Sequence, residues 1–122
     1  MSTTAKKILI CDDEEGIRES LKLILEDHYE LILTEDSDQC LDCLKNSRDI
    51  GLVLLDIKMP NKNGLDTLKE IKEKHPGQKV IIVTGYQSVE LMGELSKLGA
   101  DGYITKPFDS KEILKNIEKY YA

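Results

Sequence analysis

Leu52-Val53-Leu54-Leu55-Asp56 decides the reading of this chain: an apolar run that ends on a carboxylate and leads into Ile57-Lys58-Met59-Pro60-Asn61-Lys62-Asn63-Gly64, a turn punctuated by Pro and Gly. A short run that is apolar at successive positions suits a parallel strand covered by helices on both faces. Outward along the chain the same design recurs. Ile8-Leu9-Ile10-Cys11 delivers Asp12 and Asp13, Val80-Ile81-Ile82-Val83 delivers Thr84, and Tyr103-Ile104-Thr105 delivers Lys106. In an open parallel sheet with crossover helices, the carboxyl ends of the strands share one edge, and ligands bind in the crevice outside it. Three carboxylates, a hydroxyl and an ammonium are therefore predicted to meet there, and that set predicts a phosphoryl site.

Strands are expected at Lys7-Cys11, Leu31-Thr34, Leu52-Asp56, Lys79-Thr84 and Gly102-Thr105, from their length and β-branched content. Between them, Ile17, Leu21, Ile24 and Leu25 recur at helical spacing, as do Leu65, Leu68 and Ile71, then Leu91, Leu95 and Leu98. The last helix has a defined start. Asp109 is its N-cap, Glu112 lies three residues on as in a capping box, and Phe108 is placed to staple onto Ile113; the helix runs to about Tyr120. Alternating strands and helices indicate an α/β domain with right-handed crossovers and helices on both faces of a parallel sheet. Leu31-Thr34, bracketed by acidic residues, suits an edge. Strand orders 2-1-3-4-5 and 3-2-1-4-5 both satisfy the pattern.

The 122 residues suit one domain. A formal net charge of −6, with no basic run longer than a Lys pair, argues against a nucleic-acid or anionic-membrane surface. Neither a signal peptide nor a spanning helix is apparent, so a cytoplasmic location is expected. Three cysteines without framework spacing are expected to be reduced thiols.

Asp12-Asp13-Glu14-Glu15 would by itself be helix capping, since acidic residues in a first turn satisfy free N–H groups. Opposite Asp56 that reading weakens: converging carboxylates repel one another and raise their proton affinities unless a cation intervenes. A hard divalent ion, Mg2+ or Mn2+, is the expectation. Asp56 can then act as a nucleophile toward phosphorus, with the incoming charge neutralised by metal and by the Lys106 ammonium. Thr84 precedes Gly85, which leaves side-chain space where a phosphoryl group would approach.

The joint pattern resembles the receiver domain of bacterial two-component response regulators, a flavodoxin-like fold, over about Lys7 to Tyr120 within a single domain spanning 1–122. Cys11-Asp12-Asp13-Glu14 resembles the family's acidic pair, Leu54-Leu55-Asp56-Ile57-Lys58-Met59-Pro60 its phosphoacceptor segment, Val83-Thr84-Gly85 its switch Thr, and Tyr103-Ile104-Thr105-Lys106-Pro107-Phe108 its Lys-Pro motif. The resemblance implies a doubly wound five-stranded parallel sheet of order 2-1-3-4-5 with five helices on both faces. It implies that Asp56 accepts phosphate from a sensor histidine kinase or a histidine phosphotransfer protein. Magnesium would be held by Asp13, Asp56 and the Lys58 carbonyl, with Asp12 acting through water, and Lys106 would contact the phosphoryl group. Thr84 and Tyr103 would form the switch that alters the surface around the fourth helix, fifth strand and fifth helix for a downstream protein, and the Lys106-Pro107 bond would be cis. Such a protein is expected to be a phosphoacceptor, not an enzyme, assisting only its own phosphorylation and dephosphorylation, as a monomer or a phosphorylation-dependent dimer.

Cys11 replaces a small aliphatic residue, and Asn63 stands where Asp often precedes the loop Gly. Lys58 and Tyr86 occupy positions that in the family tune phosphate lifetime; with Gly16-Ile17-Arg18 they resemble sporulation-type phosphorelay intermediates, a combination also found in receivers of larger regulators. Cys40-Leu41-Asp42-Cys43 is a C-x-x-C, but it falls inside the second expected helix rather than at a helix start, which argues against a redox pair. His28 and His75 lack metal spacing, and His75 before Pro76-Gly77 suits a turn. Two other functions compete on this fold. A flavin phosphate would be repelled by Asp12-Glu15, and an aspartyl-phosphate hydrolase would need a cap and an acid/base beside its nucleophile. The stand-alone receiver is the expectation, with the N-terminal receiver module of a larger transcriptional regulator as its alternative.

Overall fold

The computed structural model describes residues 6–47, 49–58, 64–85 and 88–121. Among these the chain alternates without exception: β1 (Lys7–Cys11), α1 (Glu15–Leu25), β2 (Glu30–Thr34), α2 (Ser37–Asn46), β3 (Ile50–Leu55), α3 (Gly64–Lys74), β4 (Lys79–Thr84), α4 (Val89–Lys97), β5 (Gly102–Thr105) and α5 (Ser110–Tyr121). The strands form one parallel sheet in the order β2-β1-β3-β4-β5. This is the 2-1-3-4-5 doubly wound fold, with β2 at an edge as its acidic flanks suggested.

The pleat sends alternate residues of each strand into two separate cores. Leu9, Val53, Leu55 and Ile82 face α2, α3 and α4 through Cys40, Leu44, Leu68, Ile71 and Leu95. Ile10, Leu54, Ile81 and Val83 face α1 and α5 through Leu21, Leu25, Ile113 and Ile117. Both faces of β3 and β4 are therefore dry, which is why their sequences do not alternate. Each fully buried Leu or Ile contributes about 1.5–3 kcal/mol relative to exposure, so these strands anchor whatever stands at their ends.

Caps set the helix boundaries. Asp36, Ser88 and Asp109 accept the amides of Gln39, Leu91 and Glu112 at 2.9, 3.0 and 2.8 Å. The Asp109 cap is where the sequence placed it, and Phe108 packs in the same core as Ile113. α4 ends in a Schellman turn: the Ala100 amide reaches the Leu95 carbonyl and the Gly99 amide that of Ser96, both at 3.0 Å, with Gly99 at φ 95°. Two strand starts lie earlier than expected. β2 begins at Glu30, and β3 begins at Ile50 because Gly51 is the extra residue of a bulge: Lys7 pairs with Ile50, but Ile8 pairs with Leu52. At its other end β3 stops at Leu55, leaving Asp56 just beyond the strand.

Candidate functional site

The sheet register builds the site. Cys11 is opposite Leu55 and Thr34, so β1 and β3 end level, and Thr84 is opposite Thr105. The ladder then continues one step beyond the strands. Asp12 N donates to Thr34 O at 3.1 Å, Asp56 N to Cys11 O at 2.9 Å, and Lys106 N to Thr84 O at 2.9 Å. Asp12, Asp56 and Lys106 are thus fixed through their backbones before their side chains interact.

Asp12 and Asp56 are buried, at 2% and 3% exposure, as is Thr84, while Asp13 is exposed. The Lys106 ammonium is 2.9 Å from Asp12 Oδ2, 3.2 Å from Glu14 Oε1 and 3.5 Å from Asp56 Oδ2. Its approach to Asp12 Oδ2 lacks the alignment of a hydrogen bond, so that buried oxygen is balanced by charge alone among the described residues. Asp12 Oδ1 accepts the Glu14 amide at 2.9 Å, and Asp56 Oδ1 the Lys58 amide at 3.1 Å. Glu14, Asp56, Lys58, Thr84, Gly85 and Lys106 line an open cavity of about 290 Å3.

Burial pushes the Asp56 carboxyl up to about 6; the Lys58 amide and Lys106 pull it down, and Asp12 adds to the rise. Burial would lower the Lys106 ammonium, but Asp12, then Asp56 and Glu14, more than offset this and hold it above its ordinary value. One oxygen each from Asp12, Asp13, Glu14 and Asp56 lie within 4.8 Å of one another. An all-oxygen set of that charge, on residues that include Asp12 with its buried Oδ2 lacking a hydrogen bond, fits a hard divalent cation.

The match to known proteins agrees with this geometry. Residues 8–118 match the family model described as response regulator receiver domain. The chain belongs to the response regulator receiver family. It is 41% identical over 113 residues to the transcriptional regulatory protein CpxR of Escherichia coli K12, covering 91% of this chain and 47% of that protein. It is 37% identical over 116 residues to sporulation initiation phosphotransferase F of Bacillus subtilis, covering 94% of this chain and 93% of that one. The chain therefore spans about half the length of the first relative and nearly all of the second. Among solved structures, a CheY-like receiver domain from Methanospirillum hungatei JF-1 superposes with a TM-score of 0.90 at 37% identity, covering 95% of this chain and 93% of that one.

Within this receiver the sequence-derived residues Asp12, Asp13, Asp56, Thr84 and Lys106 lie at one edge, together with the exposed Lys58. The Lys106-Pro107 peptide is cis. Tyr103 is half-buried and packs against the α2–α3–α4 core, its hydroxyl 3.5 Å from the Met92 carbonyl of α4. Tyr86, Met59, Pro60 and Asn63 lie outside the described residues. A Cβ at Gly85 would meet only Lys106, in ordinary contact at 3.7 Å.

Two contributors escaped the sequence reading. In the sequence Glu14 belongs to a capping run and to the segment resembling the family's acidic pair, with no partner of its own; in the structure its side chain caps nothing and joins Lys106. Arg18 donates from Nη1 to the Asp12 carbonyl at 2.8 Å, with Nη2 3.7 Å from Glu35. Their contiguity with the acidic pair was the available signal. Elsewhere, Cys40 lies in α2 with its thiol pushed up by its hydrogen bond with Cys11 and by burial, and burial also raises Cys43. That is opposite to an activated C-x-x-C pair. His75 closes a turn, its carbonyl accepting the Gln78 amide at 2.9 Å. No described helix is long and apolar enough to cross a membrane.

Proposed function

We propose that this receiver takes a phosphoryl group onto Asp56 from the phosphohistidine of a sensor kinase or a phosphotransfer protein, with Mg2+ as cofactor, and signals through its surface. The observation that carries this reading is Asp56 itself: a buried carboxylate at the mouth of an open cavity, 3.5 Å from the Lys106 ammonium and grouped with three other carboxylates. In the transfer an Asp56 oxygen bonds to phosphorus as the P–N bond breaks. The bonding pair returns to the imidazole nitrogen, which takes up a proton.

Asp13 and Asp56 are the residues to hold the cation directly, with the Lys58 carbonyl, while Asp12 acts from behind them. When bound, Mg2+ supplies positive charge to the carboxylates and to the phosphoryl oxygens. Lys106 lines the cavity and would donate to the same phosphoryl oxygens. Thr84, at the end of β4, is the hydroxyl positioned to follow the phosphoryl group. Tyr103, packed against the α2–α3–α4 core with its hydroxyl 3.5 Å from the Met92 carbonyl, is the aromatic that would repack. The altered surface would lie around α4, β5 and α5, and the protein turns over nothing but its own phosphoryl group.

A second arrangement is supported by one observation: the chain spans 47% of the E. coli regulator it matches. On that reading the same chemistry controls a further domain of a longer regulator. Both versions share a test. Incubation with phosphoramidate, a small P–N donor, in the presence of Mg2+ should add one phosphoryl group to the wild type and none to Asp56→Asn. An adduct that persists in Asp56→Asn, or that never forms, would overturn the assignment.

A further inference from the structure

Glu14 occupies the N-cap position of α1, where a short polar side chain ordinarily turns back onto a free amide. It makes no such bond. Its own amide is held by Asp12 Oδ1, and its carboxylate extends across the cavity to accept from Lys106 Nζ at 3.2 Å. The ammonium has three N–H groups, and the protein sets three carboxylates around it.

These three are not equivalent. Asp12 and Asp56 have side chains only 3% exposed, and the Oδ1 of each accepts a backbone amide, from Glu14 and Lys58 respectively, so neither carboxylate turns away without giving up that bond. The Glu14 side chain is 60% exposed and hangs from the start of a helix. It also lines the same 290 Å3 cavity as Asp56 and Thr84. An anion entering that cavity meets Glu14 as a like charge already occupying one of the Lys106 donors.

We propose that Glu14 is a releasable counter-carboxylate for Lys106, a positioning residue that the incoming phosphoryl group must displace. It rests on the reading of Asp56 as phosphoacceptor. In the resting protein Glu14 keeps the ammonium over the cavity; on phosphorylation its place is taken by a phosphoryl oxygen and it returns to solvent. Exchange is feasible because a solvent-exposed ion pair is weak, whereas a bond from an ammonium to a dianionic phosphoryl group is charge-assisted on both sides. Glu14 therefore lowers the affinity of the site for phosphoryl anions. The competing role, a fourth carboxylate ligand for the cation, predicts the opposite effect of neutralising it.

The test compares wild type, Glu14→Gln and Asp56→Asn, all with saturating Mg2+. Beryllofluoride, a non-covalent phosphoryl mimic, is titrated by 19F NMR, and adduct formation with acetyl phosphate is followed by intact mass. In the second reaction the acyl phosphate P–O bond breaks, the Asp56 Oδ–P bond forms and acetate leaves. Glu14→Gln should bind beryllofluoride about two- to fivefold more tightly and form the adduct faster by a similar factor, the range expected from losing one exposed ion pair. A purely structural role would shift the melting temperature and leave the beryllofluoride affinity where it was, which overturns the proposal. Weaker beryllofluoride binding in Glu14→Gln, accompanied by weaker Mg2+ binding, also overturns it and assigns Glu14 to the cation. Absence of any adduct in the wild type is a different failure, one that removes Asp56 as acceptor whatever Glu14→Gln does.

Discussion

The amide of Asp56 donates to the carbonyl of Cys11 at 2.9 Å, one step past the last paired residues of β3 and β1. This bond fixes Asp56 beside Asp12 at the buried strand ends, where burial first and the Asp12 charge second push the Asp56 carboxyl up to about 6. The site stores repulsion that a cation or a positive side chain relieves.

The sign of the pH dependence follows. Asp56 titrates at 3.8 in an unperturbed chain and at about 6 in the folded protein, so the folded state binds the proton more tightly and the ionised form opposes folding. Its unfavourable contribution is absent below about pH 3.8 and complete above about pH 6. Asp56→Asn should therefore stabilise the metal-free protein at pH 8 by on the order of 1–2 kcal/mol, a gain that shrinks toward pH 4, as read by urea denaturation at both pH values. A destabilised variant at pH 8 would contradict this.

Divalent cations should act on the same repulsion. Mg2+ in excess should raise the melting temperature of the wild type in a concentration-dependent way, since a ligand that binds only the folded state stabilises it by mass action. Asp13→Asn should blunt that rise. Equal Mg2+ responses in the two proteins would place the ion elsewhere.

Gly64 opens α3 against the loop that carries Asp56. A Cβ at this position would overlap the Ile57 main chain, within 2.8 Å of both its carbonyl carbon and oxygen. Gly64→Ala should cost roughly 1–3 kcal/mol through overpacking and also slow modification of Asp56, because Ile57 must move. A variant matching wild type in both stability and acetyl phosphate labelling would show that the loop yields freely.

Gly93 is the opposite case. It lies inside α4, and a Cβ there would meet nothing within 4 Å. Gly93→Ala should stabilise α4 by up to about 1 kcal/mol and slow hydrogen exchange of its amides. If α4 is the element that repacks, beryllofluoride should perturb its amides less in this variant. An α4 as protected in the wild type as β3 and β4 would argue against low local stability there.

Asp12, Asp56, Thr84 and Lys106 were legible in the sequence because each closes a strand-like run, with Asp13 next to Asp12, and parallel strands bring such positions to one edge. The strand order was not legible from periodicity, which says which faces are buried but not which strands pair. The start of β3 was hidden by Gly51, whose place in a bulge is invisible until β1 is set beside it. Glu14 looked like a helix cap because its partner Lys106 is 92 residues away. The overlap of Gly64 with Ile57 likewise depends on how tightly the helix start closes on the loop, which no local pattern encodes.

The central claim is that Asp56 is the acceptor of a metal-assisted phosphoryl transfer. Intact mass with peptide mapping, after incubation with acetyl phosphate with and without Mg2+, tests it most directly. The account predicts one phosphoryl group on Asp56, present with Mg2+, lost with chelator and absent in Asp56→Asn. Labelling at another residue, or labelling of Asp56 that is indifferent to Mg2+, would contradict it.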